Sequence, residues 1–244
     1  MYIIDYDQVN KADALRCLSL DDGTEIWRLS YPVLIKRNHG MSRTVPYVSD
    51  EDCVVIGPKC HVTCADAMTG EFRWMIDMVE DYGTTIPEWY TGQCPLVEGD
   101  RVILAPAGTE ALMVAVDIKT GEEIWRTPNT LGWKMTHVSI TPMEVDGRRS
   151  YIYCGSGGAV GVAADNGEIL WSSPEWTISY ATCPSPIILP GNRIFFSGGY
   201  NAGSLLMQID VDANGVWQPG IVRRFTPREF GSTQQTPVLF DGHI

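Results

Sequence analysis

The sequence has no apolar run of the ~18 residues that a membrane-spanning helix needs. Its first residues, Met1 to Asp5, have neither the basic start nor the apolar stretch of a secretory signal peptide. Basic residues are scarce, because 18 lysines and arginines stand against 30 aspartates and glutamates, for a net charge of −12. Such a chain repels phosphate backbones, so nucleic acid is not an expected partner.

The sequence also lacks the common catalytic signatures, including a phosphate-binding loop and an H-E-x-x-H helix. Its seven cysteines are odd in number and scattered through apolar runs, unlike the dense framework of a disulfide-stapled domain. The segment Cys60 to Cys64 reads CHVTC, which is neither a haem-attachment nor a zinc motif. We expect these cysteines to be small buried side chains.

Instead, one sequence motif recurs along the whole length of the chain. A turn with glycine precedes a tryptophan in segments such as ADAMTGEFRW and AVDIKTGEEIW. The tryptophans recur at intervals of 46 to 51 residues, and a proline that opens an apolar run marks each interval a second time. A fixed period of this length indicates a repeat architecture. The five tryptophans are Trp27, Trp74, Trp125, Trp171 and Trp217.

Each repeat carries short apolar runs separated by turn signals, which predict four strands. In one repeat we expect strands over Pro95 to Val97, Arg101 to Ala105, Leu112 to Val116 and Glu123 to Arg126. Short strands at this period favour an all-β propeller of four-stranded antiparallel blades. We expect Asp66 to hold the turn, Gly70 to supply its positive φ, and the tryptophan to dock against the next blade.

The motif formed by Ala65, Asp66, Thr69, Gly70 and Trp74 resembles the tryptophan-docking motif of the pyrroloquinoline quinone (PQQ)-like repeat propellers. The resemblance extends over the whole chain. It implies either a non-catalytic binding propeller, similar to the outer-membrane assembly lipoprotein, or a PQQ- and calcium-dependent quinoprotein dehydrogenase. A dehydrogenase of that kind would have a vicinal cysteine pair under the cofactor, and the sequence has none.

We therefore expect a binding or scaffold protein with a protein or peptide partner, no catalytic residues and no cofactor. A fragment of a quinoprotein oxidoreductase that holds PQQ with calcium is the alternative, and a carbohydrate-binding propeller is a third class. The resemblance implies a periplasmic or secreted protein. Seven cysteines fit an oxidising compartment poorly, and finding all of them free would weaken that interpretation.

The segments that link one repeat to the next are the least repetitive parts of the chain. In a four-stranded blade these links border the central channel, and here they carry aromatic rings among polar residues, as binding faces do. The alternative is that the rings pack over the blade ends. We expect removal of the Trp133 ring to weaken a ligand and to leave stability nearly intact. The candidates for the binding face are Arg43, Trp89, Tyr90, Gln93, Trp133, His137, Trp176, Tyr180, Phe230 and Gln234, and His39 also lies on a link.

The segment DVDANG resembles the start of a calcium loop, with Asp210, Asp212 and Asn214 as candidate ligands. The twelfth position, which should be glutamate, is Ile221. Because every other repeat has its hairpin turn here, we expect a turn.

Both ends of the sequence cut through a repeat, so four complete blades are flanked by partial ones within residues 1 to 244. Pairing of the ends would give a closed five-bladed ring. The larger number of blades in PQQ-like propellers favours instead part of a larger propeller, in which Tyr2 to Ile4 and Val238 to Phe240 are exposed edges prone to self-association.

Overall fold

The computed structural model describes residues 1–36, 41–178 and 180–244, and five antiparallel sheets follow one another along them. Strands are adjacent in each sheet in the order of the sequence, so each sheet is a blade of consecutive hairpins. Blade 1 has three strands, β1 (Tyr2–Asp7), β2 (Ala12–Leu18) and β3 (Glu25–Pro32). The predicted all-β propeller is confirmed.

Blades 2 to 5 have four strands each. Blade 2 contains β4 (Tyr47–Val48), β5 (Asp52–Ile56), β6 (His61–Asp66) and β7 (Phe72–Asp77), and helix α1 (Met78–Tyr82) follows it. Blade 3 contains β8 (Leu96–Glu98), β9 (Arg101–Leu104), β10 (Met113–Asp117) and β11 (Glu123–Thr127). Blade 4 contains β12 (Thr141–Val145), β13 (Arg148–Gly155), β14 (Gly158–Ala163) and β15 (Ile169–Ser173). Blade 5 contains β16 (Ile187–Leu189), β17 (Arg193–Gly198), β18 (Gly203–Val211) and β19 (Trp217–Phe225).

The strands predicted for blade 3 match the observed ones within one residue at every end. The inner strands of the blades are almost wholly buried, and one large apolar cluster runs through blades 2 to 5. A smaller cluster joins blade 1 to blade 2. Among the described residues, no helix is long and apolar enough to cross a membrane.

Three of the repeated tryptophans join consecutive blades. The indole Nε1 of Trp27 donates a hydrogen bond of 3.0 Å to the Ala67 carbonyl, in the hairpin turn of the next blade. Trp74 donates to the Ile118 carbonyl at 2.8 Å in the same way. Trp125 donates at 3.1 Å to the carbonyl of Ala164. The outer strand of one blade is thereby fixed to the last hairpin of the next.

The glycine of each receiving turn lies directly under the indole ring. A Cβ atom added at Gly121 would stand 2.9 Å from the ring of Trp74, and one at Gly70 would stand 2.6 Å from the ring of Trp27. Both glycines also have φ of +74°. The repeated glycine therefore has two tasks, because it closes the turn and leaves room for the ring that docks on it.

The seam between blades 4 and 5 differs from the three before it. The Nε1 atom of Trp171 is buried and has no hydrogen-bond partner among the described residues. Nothing lies within 4 Å of a Cβ atom built at Gly215, so no ring covers this turn. The fourth seam is therefore held by other contacts, which include those between β15 and the nine-residue strand β19.

The two ends of the chain do not pair. Among the described residues, the backbone of β1 pairs with β2 and no other strand, and the β-pairing of the tail is limited to an isolated bridge between Phe240 and His243. The closed five-bladed ring is thus not formed by the described residues. Val238 and Phe240 are 74% and 80% exposed.

Replacing Gly121 by alanine should lower the free energy of unfolding more than replacing Gly215 by alanine. The two glycines have φ of 74° and 79°, so both substitutions place a Cβ in the left-handed region at a cost of about 1–2 kcal/mol. At Gly121 the new methyl group also collides with Trp74, which adds about 1–3 kcal/mol. Urea unfolding measures both values, and equal losses would contradict a ring contact at this seam.

Candidate functional site

The links between blades are tied to one another at the point where each blade begins. The Cys94 amide donates to the Ser139 hydroxyl at 3.0 Å, and the Ser139 amide donates to the Ser185 hydroxyl at 3.2 Å. The Ser185 amide donates in turn to the Thr236 hydroxyl at 2.9 Å. We call this series the link relay; the Val45 amide extends it with a contact of 3.3 Å to the Cys94 sulfur.

Sequence reasoning missed the link relay, although a signal for it is present. Cys94, Ser185 and Thr236 each stand immediately before the proline that opens an apolar run. Proline has no amide hydrogen, so the residue before it supplies the last amide donor and the last small polar side chain before the strand. The relay fixes the links, so the residues that they carry are presented by a rigid frame.

Two adjoining cavities of about 820 Å³ and 650 Å³ open between these links. They share Trp89, His137 and Ala181, and we refer to them together as the channel-side cavity. The smaller part is lined by Arg43, Trp89, Gly92, His137, Ala181, Cys183, Tyr200 and Gln234. Five predicted binding residues, each from a different link, therefore meet here: Arg43, Trp89, His137, Tyr180 and Gln234.

Three of the other candidates pack over the blade ends, which was the alternative interpretation. Trp176 is only 3% exposed and stacks on Phe196, with ring centroids 5.9 Å apart. Phe230 packs edge-on against Phe195, with centroids 5.3 Å apart. Trp176 therefore belongs to the main apolar cluster, and Phe230 packs against strand β17; a binding role for either stays a prediction.

Trp133 is the third of these residues. Its ring lies on the glycines of the β13 to β14 hairpin, because a Cβ atom at Gly157 would fall 2.2 Å from its Nε1. It is half-buried and packs against the main apolar cluster. We therefore now expect loss of this ring to reduce stability, contrary to the expectation from the sequence.

Gln93 and Tyr90 also point away from the channel-side cavity. Gln93 is fully buried, and its side-chain amide forms hydrogen bonds with both the amide and the carbonyl of Ala105, at 2.9 Å and 3.2 Å. Tyr90 lines a separate cavity of about 670 Å³, where its hydroxyl is bonded to the backbone of Lys36. His39 lies outside the described residues.

Arg43 lines the channel-side cavity, and its guanidinium group is only partly hydrogen-bonded. Its Nη1 donates to the carbonyl of Trp89, whereas its Nη2 is buried and has no acceptor in the described part of the chain. Burial lowers the pKa of His137, and the positive charge of Arg43 lowers it further, so this ring is neutral at neutral pH. Burial raises the pKa of the Cys183 thiol, which Arg43 only partly opposes.

Tyr200 is a lining residue that the sequence analysis did not include. It lies in the turn between β17 and β18, and its ring centroid is 5.3 Å from that of Tyr180. Turns between the second and third strands of a blade reach the same face as the links. The aromatic residue in the glycine-rich segment GGYNAG could therefore have identified Tyr200 as a candidate lining residue from the sequence.

The DVDANG segment forms a hairpin turn, as expected. The carboxylate of Asp212 accepts hydrogen bonds from the amides of Asn214 and Val216, at 2.8 Å and 3.0 Å. Asp210 belongs to strand β18. The described residues contain no cluster of three His, Cys, Asp or Glu side chains that could hold a metal ion.

Comparisons with known proteins give one family and two informative structures. The family described as outer membrane protein assembly factor BamB matches residues 11–243, whereas curated proteins give no match. BamB from Moraxella catarrhalis has a TM-score of 0.55 at 14% identity, over 96% of this chain and 65% of that one. Quinohemoprotein alcohol dehydrogenase ADHIIG from Pseudomonas putida HK5 has a TM-score of 0.54 at 14% identity, over 90% and 46%. This chain thus spans less than two thirds of either protein, and both are similar to it in fold.

Replacing Trp176 by alanine should cost about 3–5 kcal/mol of stability, because it empties a buried site beneath Phe196. Replacing Trp89 by alanine should cost about 1 kcal/mol or less, because this ring is half-buried at the cavity wall and the Arg43 contact uses only the Trp89 backbone. The midpoints of urea unfolding measure both. A similar loss for the two variants would show that Trp89 belongs to the core.

Proposed function

The chain belongs to the family of the outer membrane protein assembly factor BamB, and we propose that it is a non-catalytic binding propeller. Its channel-side cavity holds a protein or peptide partner. One observation carries this proposal: the repeated residues form the seams, whereas residues from five non-repeated links gather around one cavity. Variable loops on a rigid frame are the usual construction of a binding site.

The chemistry of the lining supports a peptide or protein ligand. Tyr180 and Tyr200 are 71% and 44% exposed, and Trp89 lines both parts of the cavity. Aromatic rings and arginine are the side chains that contribute most to protein interfaces. The link relay holds these residues in place before binding, so little conformational entropy is lost on association.

The alternative, a fragment of a PQQ-dependent quinoprotein dehydrogenase, draws support from the structural likeness to the alcohol dehydrogenase. The residues present do not fit that cofactor with calcium. Calcium takes about 6–8 oxygen ligands, most often from carboxylates, and the smaller part of the channel-side cavity is lined by no Asp or Glu. The sequence also has no adjacent cysteines. We therefore derive no step through PQQ.

We also propose that the protein works on the periplasmic side of an outer membrane, as the family description suggests. All seven cysteines are free thiols in the structure, and five of them are buried. Burial raises the pKa of the thiols of Cys53, Cys60 and Cys64 to about 12. Seven free thiols weaken the periplasmic interpretation, although these three buried thiols stay protonated and so resist oxidation.

Photo-crosslinking tests the binding proposal. A benzoylphenylalanine placed at Tyr180 in the native host should give an adduct with a discrete protein, because this side chain is exposed at the cavity. The same probe at Phe72, which is 52% exposed on the outer strand β7, is the matched control. The adduct at Tyr180 should disappear with Trp89→Ala.

Equal adducts at Tyr180 and Phe72 would contradict a partner at the channel-side cavity. A second arm adds PQQ and calcium to the purified protein, followed by desalting. Retention of the cofactor absorbance would favour the quinoprotein alternative. Adducts with polysaccharide rather than protein would favour the carbohydrate-binding class.

Thiol titration tests the explanation of the cysteines. In the native protein at pH 8 we expect at most the two half-buried thiols, Cys94 and Cys183, to react with Ellman's reagent within minutes. All seven should react after denaturation in urea. Rapid reaction of more than two native thiols would show that burial does not protect them, and fewer than seven after denaturation would reveal a disulfide.

A further inference from the structure

Among the residues that the structure describes, Arg43 is the one arginine that lines the channel-side cavity. Only its Nη1 has an acceptor, the carbonyl of Trp89, and its Nη2 is buried without a partner in the described part of the chain. A guanidinium always carries its charge, and a buried charged donor without an acceptor is unfavourable. The described residues therefore leave one hydrogen-bond donor group of Arg43 without an acceptor, which a ligand could supply.

Most other arginines in the described part of the chain pair their guanidinium group with a carboxylate. Nine of those that the structure describes form an ion pair with an aspartate or glutamate, and Arg43 is not among them. The chain has 30 acidic residues from which a partner could have come. The nine are Arg16, Arg28, Arg73, Arg101, Arg126, Arg148, Arg149, Arg223 and Arg224.

The groups around Arg43 supply no negative charge. In the smaller part of the cavity, His137 is neutral, Cys183 remains a thiol, and the other lining residues are uncharged. The adjoining part adds Glu88 and Lys134, one charge of each sign, and both side chains are exposed. A ligand that enters the smaller part of this cavity thus meets the half-buried, unpaired guanidinium of Arg43 among aromatic and small residues.

A carboxylate fits this arrangement better than a polyanion. One carboxylate oxygen can accept from Nη2 while Nη1 stays bonded to the Trp89 carbonyl, and the single negative charge balances the charge of Arg43. A polyanion would bring several charges to the smaller part of the cavity, where Arg43 is the one charged lining residue, in a chain whose net charge is −12. The Trp89 and Tyr200 rings then leave room beside the carboxylate for an apolar or aromatic neighbour.

We propose that the channel-side cavity recognises its peptide partner by one carboxylate, from an aspartate, a glutamate or a C-terminus, which pairs with Arg43. This proposal rests on the proposed function, since it names the chemistry of the same site. It assigns Arg43 as the residue that selects the ligand, with Trp89 and Tyr200 as the contacts beside it.

Selection from a random peptide library, displayed by mRNA display, tests the proposal. The bait is the full chain, as wild type, Arg43→Gln and Arg193→Gln. The last variant is the matched control, because it removes the same charge at a residue in an early position of β17 whose guanidinium donates only to the nearby Pro190 carbonyl. Wild type and Arg193→Gln should enrich peptides that share an acidic residue, and Arg43→Gln should not.

Selected peptides are then synthesised in three forms: as found, with the shared acid changed to its amide, and with an amidated C-terminus. Removal of the recognised carboxylate should weaken binding to wild type by about tenfold or more, and should not change binding to Arg43→Gln. Comparison of the two altered forms tells a side-chain carboxylate from a C-terminal one. Arg43→Lys keeps the charge without the fork and covers the case in which Arg43→Gln fails to fold.

The outcomes separate this proposal from the proposed function. Peptides without a shared acid, or a carboxylate whose loss weakens binding equally to wild type and Arg43→Gln, would overturn the role of Arg43 and leave a peptide-binding cavity in place. No enrichment by wild type above a Trp89→Ala bait would overturn both.

Discussion

The connection between consecutive blades depends, at three of the four seams, on a flat indole ring that lies on a hairpin turn of the next blade. The contact needs a hydrogen-bond acceptor in the turn and a residue without a side chain beneath the ring, which Ile118 and Gly121 supply to Trp74. Because the tryptophan belongs to one repeat and the glycine to the next, neither repeat is complete alone. The period of the sequence is therefore the period of a contact between repeats, as expected for an array that buries its core between neighbours.

The seam between blades 4 and 5 shows what happens when this contact is absent. Gly161 lies opposite Trp171 across β14 and β15, and a Cβ atom there would stand 2.1 Å from the indole Nε1. The equivalent partner of Trp125 is Ala115, which has a Cβ. The missing Cβ lets Trp171 lie over its own blade instead of reaching the next. At this seam the hydrogen bond from the Ser139 amide to the Ser185 hydroxyl and the contacts between β15 and β19 remain.

The repeated features of the sequence predicted the blades. The orientation of individual side chains could not be predicted, because it depends on the residues against which they pack. The five tryptophans and their turns predicted the propeller, because short-range turn chemistry and a fixed period are written in the chain itself. The position of the binding links followed from the same period. The direction of each aromatic ring did not, because Trp133 and Trp89 both stand on links, and only contact with Gly157 places the first against the blade. The link relay was missed because its donors and acceptors are 45 or more residues apart.

The same links that define the cavity also fix its shape and its charge. Because the link relay ties each link to the next, the positions of Trp89 and Arg43 are set by the frame and not by a ligand. The chain as a whole carries −12 and repels polyanions at a distance, while within the cavity a single unpaired guanidinium attracts a single negative charge. The Arg43 guanidinium attracts an anion over a few ångströms, whereas the net negative charge of the chain repels polyanions over longer distances. Together the two effects favour ligands with a single negative charge. If the proposal for Arg43 holds, a singly charged carboxylate in an apolar segment would bind, and nucleic acid or a phosphate cluster would be repelled.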